Sequence, residues 1–359
     1  MRAAYEERLV SALASSGIET EVFGSSITIK PIPDDDRSGV IDPREFDLAK
    51  KTLEARKAMP QTLQNLREET GFPNLNLNTV EIITKVFSLE GNGLPFELLM
   101  YVPRKPFGKK DRKAVIYAHG GSYIAGSVYG EENPMKFLSE IADCVVFSVE
   151  YSLAPEYPFP TQLNQVEEAV DYVKANADNL GVDPTQIFLS GDSAGANLAL
   201  SVSQCFPKGE IAGLILWYPV VSLSLETLPF AWHESDYDMQ EAYKPYVIPR
   251  LILGRSDENI GPLVKLISSF YLRNGEQRDN PQVSPLYYRG DSFPKMILFT
   301  AEYDGLRQQG EYFSSKINKE GGSCRCYRYR GIHHGFIDKF GYFPQAEDSI
   351  RLAASFVNE

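Results

Sequence analysis

The chain has 359 residues, with 36 Lys and Arg against 48 Asp and Glu. The formal charge of −12 argues against a nucleic-acid surface, which needs a basic face. Hydrophobic residues make up 43% and charged residues 23%, so a sizeable globular core is possible.

Residues 1–75 show no strong strand rhythm. The opening MRAAYEERLVSALASSG carries one Arg, but Glu6 and Glu7 interrupt it and no long apolar stretch follows, so it does not read as a secretory signal. DPREFDLAKKTLEARKAM predicts a helix with Asp42 as N-cap and Pro43 in the first position. After Pro60, QTLQNLREETG predicts a second helix ended by Gly71. TVEIITKVFSLEGNGLPFELLMYVP predicts two antiparallel strands across a Gly-Asn-Gly turn.

Alternating units follow. Strands are expected at 113–119, 144–151, 185–191 and 212–219, separated by the helices NPMKFLSEIA, TQLNQVEEAVDYVKANADNLG and SAGANLALSVSQCF. Continuous apolar strands alternating with helices imply an α/β protein with a buried, mostly parallel sheet. The rhythm breaks over residues 222–275, an irregular stretch with Trp232, Tyr237, Tyr243, Tyr246 and several prolines. It resumes with strand 294–304, helix QQGEYFSSKINKEG, strand CRCYRYRG and helix QAEDSIRLAASFV. The 222–275 stretch therefore reads as an insertion over the C-terminal edge of the sheet.

Four cysteines, Cys144, Cys205, Cys324 and Cys326, are too few for a disulfide framework. The C-x-C pair Cys324 and Cys326 reads first as two small buried side chains on one face of a strand, and second as a redox or metal pair. The most apolar run, Ile211–Val221, is too short to span a bilayer. A soluble cytoplasmic protein with no membrane span is the expectation.

The strongest chemical signal is GDSAG, Gly191 to Gly195, between a strand and a helix. It fits a G-x-S-x-G elbow, in which small flanking residues let Ser193 occupy a strained turn and the following helix aims its N-terminus at a developing oxyanion. HGGSYIAGS, from His119, follows a strand, and its glycines can aim backbone N–H groups at an oxyanion. His119 suits fixing that loop. Asp304 ends a strand in AEYDGLRQQG, where an acid can orient a histidine. RGIHHGF carries His333 and His334, two of the four histidines. Ser, then Asp, then His is the chain order of α/β-hydrolases. A metal site at the two histidines is not expected, because neighbours on an extended segment point to opposite sides.

With these motifs the sequence resembles the hormone-sensitive-lipase-like carboxylesterases of the α/β-hydrolase superfamily, over residues 80–357. HGGS is similar to the family's HGGG, EYSLAPEYPFP to its YRLAPE-x-x-FP, GDSAGANLAL to its elbow, NPQVSPLYY to its DP-x-x-SP, AEYDGLRQQG to AEYDPLRDEG and HHGF to IHGF. The resemblance implies an α/β-hydrolase fold, a mostly parallel central sheet with flanking helices and a helical cap. By motif it makes Ser193 the nucleophile, His334 the general base and Asp304 its orienting acid. The N–H groups of Gly121, Ser122 and Ala194 would form the oxyanion hole.

The same resemblance makes residues 1–75 an N-terminal cap segment, 222–275 a cap insertion, and 76–221 and 276–359 the two parts of the core. It implies a small-molecule ester substrate, with no cofactor, no metal and no nucleic acid. Family members often pair through sheet-edge strands, which leaves a homodimer open. The aromatic insertion suggests an apolar pocket and a short-acyl, uncharged ester. Three positions depart from the pattern: Ser122 for the third glycine, Ser152 for an arginine, and Gln308-Gln309 for an acidic pair. An amidase or peptidase would use the same triad, and a non-catalytic ligand-binding protein can share the scaffold. A fluorophosphonate probe separates the last, since an inert serine stays unlabelled.

Overall fold

The computed structural model describes residues 3–58, 62–68, 74–104, 111–224, 231–253, 262–273, 277–290 and 293–359. In chain order the elements are α1 (Glu7–Ala14), β1 (Ile18–Val22), β2 (Ser25–Lys30), α2 (Pro43–Ala58), α3 (Leu63–Glu68), β3 (Ile82–Gly91), β4 (Leu94–Pro103) and β5 (Arg112–Ala118). There follow α4 (Glu132–Ala142), β6 (Val145–Glu150), α5 (Thr161–Ala175), α6 (Ala177–Leu180), β7 (Val182–Asp192), α7 (Ala194–Ser203) and β8 (Gly213–Trp217). The last are α8 (Lys244–Val247), α9 (Pro262–Tyr271), β9 (Met296–Tyr303), α10 (Arg307–Lys319), β10 (Cys324–His333) and α11 (Pro344–Asn358). Pro60 and Gly71, expected to bracket the second helix, lie outside the described residues.

The strands form one sheet in the order β1-β2-β10-β9-β8-β7-β5-β6-β4-β3. All contacts from β6 through β5, β7, β8, β9 and β10 to β2 are parallel, while β4 joins β6 and β3 joins β4 antiparallel. The β3–β4 turn is made by Asn92 and Gly93, both at positive φ as a tight hairpin requires.

Period-two alternation sorts each strand between two cores. Along β5, Ala114, Ile116 and Ala118 join the layer under α5, α7 and α10, while Val115 and Tyr117 join the layer under α4 and α11. Each face buries a continuous apolar layer, which is why these strands read as unbroken hydrophobic runs. Cys324 and Cys326 both lie buried in the first layer.

One expectation fails. Residues 18–30 lie within the segment read as strandless, yet they form the hairpin β1–β2, and β2 extends the sheet beyond β10. The strands are short and largely polar, so hydrophobic alternation is faint; only Ile27 is buried as an apolar side chain, and Lys30 is buried because its Nζ donates to Leu13 O and lies 3.6 Å from Asp348. The turn is Phe23-Gly24, again at positive φ.

Asp42 caps α2, its Oδ1 accepting the Arg44 N–H at 2.9 Å. At the start of α2 the N-terminal segment meets the 222–275 insertion. A third apolar cluster joins Ile41, Tyr237, Val247, Leu251 and Tyr303, with Phe46, Trp232, Tyr243 and Tyr246 packed against it. Phe46 stands edge-on to both Tyr243 and Tyr246. The insertion's aromatics thus serve largely as the packing of this layer. Because Tyr303 ends β9, the cluster sits at the C-terminal ends of the parallel strands.

Candidate active site

Parallel strands put their C-terminal ends on one edge, and the loops leaving that edge carry the chemistry. Ser193 follows β7 directly and starts α7. Its φ of 53° and ψ of −115° fall where a non-glycine residue is strained, at a cost of about 1–3 kcal/mol. The turn is held by Ser193 N donating to Trp217 O at 2.9 Å, and by Val220 N and Asn197 N donating to Ser193 O, each at 3.2 Å. No side chain fits on either flank. A Cβ on Gly195 would lie 2.0 Å from Ala118 O, and one on Gly191 would lie 2.4 Å from the Gly195 carbonyl carbon.

His334 follows β10 and Asp304 follows β9, adjacent parallel strands. Asp304 is fully buried; its Oδ1 accepts the Leu306 N–H at 2.8 Å, and its Oδ2 lies 2.7 Å from His334 Nδ1. His334 Nε2 lies 3.0 Å from Ser193 Oγ. Since the carboxylate can only accept, Nδ1 carries the proton and Nε2 faces the hydroxyl as acceptor. Burial alone would lower the His334 pKa. The charge and hydrogen bond of Asp304, with more remote help from Asp192 and Asp338, outweigh it and hold the imidazole above its ordinary value.

The loop after β5 turns through three residues at positive φ: Gly121 at 117°, Ser122 at 60° and Tyr123 at 64°. Gly121 cannot be replaced without collision, since its Cβ would sit 2.1 Å from Ala125 O. Ser122 takes its left-handed conformation where the resembled family has glycine, and its backbone N–H is retained. Among the described residues, the N–H groups of Gly121, Ser122 and Ala194 have no protein acceptor. His119 is fully buried, its Nδ1 donates to Gly120 O at 2.7 Å, and its ring stacks on Tyr151, whose hydroxyl donates to His119 O. That is a loop-fixing role. Burial lowers its pKa and keeps the ring neutral.

The three candidate residues scattered over the last half of the chain are therefore brought into one hydrogen-bonded line. A family model described as the alpha/beta hydrolase fold matches residues 115–338, a span that holds all of them. The chain belongs to the α/β-hydrolase fold family.

This α/β hydrolase is 31% identical to an arylesterase of Saccharolobus solfataricus over 234 residues, covering 65% of this chain and 71% of that protein. It is 28% identical to an AB hydrolase superfamily protein of Schizosaccharomyces pombe, covering 61% of this chain and 62% of the other. Among solved structures, a hyperthermophilic esterase from the archaeon Pyrobaculum calidifontis superposes with a TM-score of 0.73 over 89% of this chain and 98% of that one, at 24% identity. A thermostable carboxylesterase cloned from a metagenomic library matches with a TM-score of 0.67 over 87% and 96%, at 27% identity. The first structural match, under 25% identical, speaks for the fold.

In this α/β hydrolase the departures from pattern have local partners. Gln309 Oε1 accepts the N–H groups of Val221 at 2.8 Å and Ser222 at 3.2 Å, so an amide carbonyl pins the chain leaving β8. Ser152 is held by Gln165 and Gln162. A cation still serves its segment, but from α3: Arg67 donates to Ile124 O and Ala154 O and pairs with Glu156.

Sequence reasoning missed an acidic cluster beside the site. Asp192 Oδ1 accepts Tyr117 Oη–H at 2.7 Å and Gly120 N–H at 2.6 Å. Burial, then the nearby Asp338 carboxylate, pushes the Asp192 carboxyl up to about 7. Glu131, buried just before α4, is raised well above the usual range by burial and then by the nearby Asp192 and Asp338 carboxylates. The only sequence signal was the acid inside GDSAG. Among the described residues no group of three or more His, Cys, Asp or Glu is arranged to hold a metal ion, and no helix is long and apolar enough to cross a membrane.

Proposed function

We propose that the protein is a serine carboxylesterase of the hormone-sensitive-lipase-like branch, with Ser193 as nucleophile, His334 as general base and Asp304 as its orienting acid. The single observation that carries this reading is the line Asp304 Oδ2–His334–Ser193 Oγ, at 2.7 and 3.0 Å. The named esterases among its relatives support ester hydrolysis as the reaction.

Ser193 Oγ attacks the ester carbonyl carbon while its proton passes to His334 Nε2. Asp304 stabilises the imidazolium that forms. The N–H groups of Gly121, Ser122 and Ala194 receive the oxyanion, each worth roughly 3–4 kcal/mol. The intermediate collapses, the C–O bond breaks, and the leaving alkoxide takes the proton from His334. Water then repeats the attack on the acyl-enzyme, giving up a proton to His334, and Ser193 leaves as it is reprotonated.

Residues 1–75 and the 222–275 insertion supply the cap, with 76–221 and 276–359 as the two parts of the core; the hairpin β1–β2 of the first segment also extends the sheet. The substrate is a small, uncharged, short-acyl ester. Tyr218, fully buried, sets its ring 4.6 Å from that of His334 and packs behind the base.

Ser193→Ala tests the assignment. It should abolish turnover of a p-nitrophenyl short-chain ester with the fold intact by circular dichroism. Undiminished hydrolysis overturns it, and a panel of acyl lengths tests the substrate class.

A further inference from the structure

His333, beside the proposed base, has no part in the chemistry above, yet it is buried at 1% exposure. Its Nδ1 lies 3.0 Å from Glu45 Oε1, along a bent approach. The same Glu45 oxygen accepts the Arg250 guanidinium at 2.8 Å. Glu45 is in the first turn of α2, and Arg250 belongs to the 222–275 insertion. One buried carboxylate thus joins both segments that cover the site to the residue preceding His334.

Neighbouring bonds extend this tie. Asp42 N donates to Gly331 O at 2.8 Å, fastening the start of α2 to the end of β10. Tyr303 Oη donates toward Val40 O and Asp238 O, linking the end of β9 to both segments. Tyr237 Oη donates to Asp304 O at 3.0 Å, so the insertion also holds the backbone of the acid. The charges balance as well. Burial pushes His333 below the ordinary imidazole value, so it meets Glu45 neutral, and Arg250 is the cation that matches the carboxylate.

A buried carboxylate is costly unless paired and hydrogen-bonded. Packing alone would be served as well by an apolar side chain. This geometry instead places a charge where it touches three separate pieces of chain, one of them covalently next to the base.

We propose that Glu45 is a positioning residue: through His333 and Arg250 it couples the seating of α2 and the insertion to the alignment of His334 with Ser193. The proposal rests on the esterase reading above for its kinetic consequence. Its structural consequence, the setting of the His334 ring, is readable without any substrate.

The test compares Glu45→Ala, Glu45→Gln and Arg250→Met with the wild-type chain. Each is assayed for kcat and KM on p-nitrophenyl acetate, for thermal melting, and for the low-field proton resonance of the His334 Nδ1–H facing Asp304. In Glu45→Ala, kcat should fall about 10- to 100-fold, the scale of a small misplacement of a catalytic group, with KM changed less than about 3-fold. The low-field resonance should move or broaden while melting stays cooperative. Glu45→Gln, which keeps the acceptor but not the charge, should recover most of the lost kcat.

If Glu45→Ala does not fold, Glu45→Gln and Arg250→Met carry the test. Arg250→Met should lower kcat about 3- to 10-fold with a shifted resonance. Wild-type kcat and an unmoved resonance in the variants that fold overturn the proposal. A wild-type chain inactive on every ester would sink the functional reading instead, and the resonance would still decide the role of Glu45.

Discussion

His334 Nδ1 lies 2.7 Å from Oδ2 of the fully buried Asp304, whose other oxygen, Oδ1, accepts the Leu306 N–H. This contact raises the imidazole above its ordinary value of about 6.5. The base must be neutral to accept the Ser193 proton, so kcat/KM should rise with pH through the elevated pKa, and the acid limb should lie above 6.5. Asp304→Asn removes the charge that raises it. The limb should move to lower pH while kcat drops by several orders of magnitude. A pH–rate profile that keeps its limb in the variant would show that another group sets it.

The two adjacent histidines should respond unequally. His334→Ala removes the ring that bridges Ser193 Oγ and Asp304 Oδ2, and should cost several powers of ten in kcat. His333→Ala leaves that line in place and loosens only its support, so the loss should stay within about 100-fold. Single-turnover assays with p-nitrophenyl acetate decide it; a reversed order would move the base to His333.

Asp192 makes a prediction about stability. Its carboxyl, near 7 in the folded chain, titrates near 4 when unfolded. Between those values the folded state holds a proton that the unfolded state has released, so stability falls as pH rises through this window. Asp192→Asn keeps an acceptor for Tyr117 and Gly120 and cannot ionise. Its unfolding free energy should therefore gain on the wild type as pH rises from about 4 to about 7, by on the order of a few kcal/mol at most. A constant difference across that range would mean that Asp192 is ionised throughout.

Ser122 stands at φ 60° in the loop where the resembled family has glycine. Ser122→Gly relieves a left-handed side chain but frees the unfolded chain, two effects of about 1 kcal/mol that oppose one another. The N–H remains where it was. Stability should change little and kcat should stay within about 3-fold. A fall beyond about 10-fold would assign the Ser122 hydroxyl a part of its own in holding the oxyanion.

What could be read from the sequence follows from how local each signal is. Ser193, Asp304 and His334 each sit at a strand end inside a short motif, so their convergence was visible from the order of elements. The central strands were equally plain, because burial on both faces leaves uninterrupted apolar runs. The hairpin at 18–30 was not, since a polar edge strand carries little alternation. Trp232, Tyr243 and Tyr246 suggested a pocket lining; they largely pack the layer between α2 and the insertion, a distinction that composition cannot make. Glu45, Arg250 and His333 meet from three remote stretches, and no spacing rule links them. Glu131 and Asp338 were hidden for the same reason.

The pairing of β2 with β10 has a consequence for how the molecule comes into being. Thr28 leaves a ribosome long before its sheet partner Tyr327 does. The early hairpin must wait, without its neighbour in the sheet, until β10 has emerged. His334 directly follows that same late strand. The nascent chain therefore has its serine long before it has the ring that would activate it, and reactivity arrives only once β10 has joined the sheet beside β9.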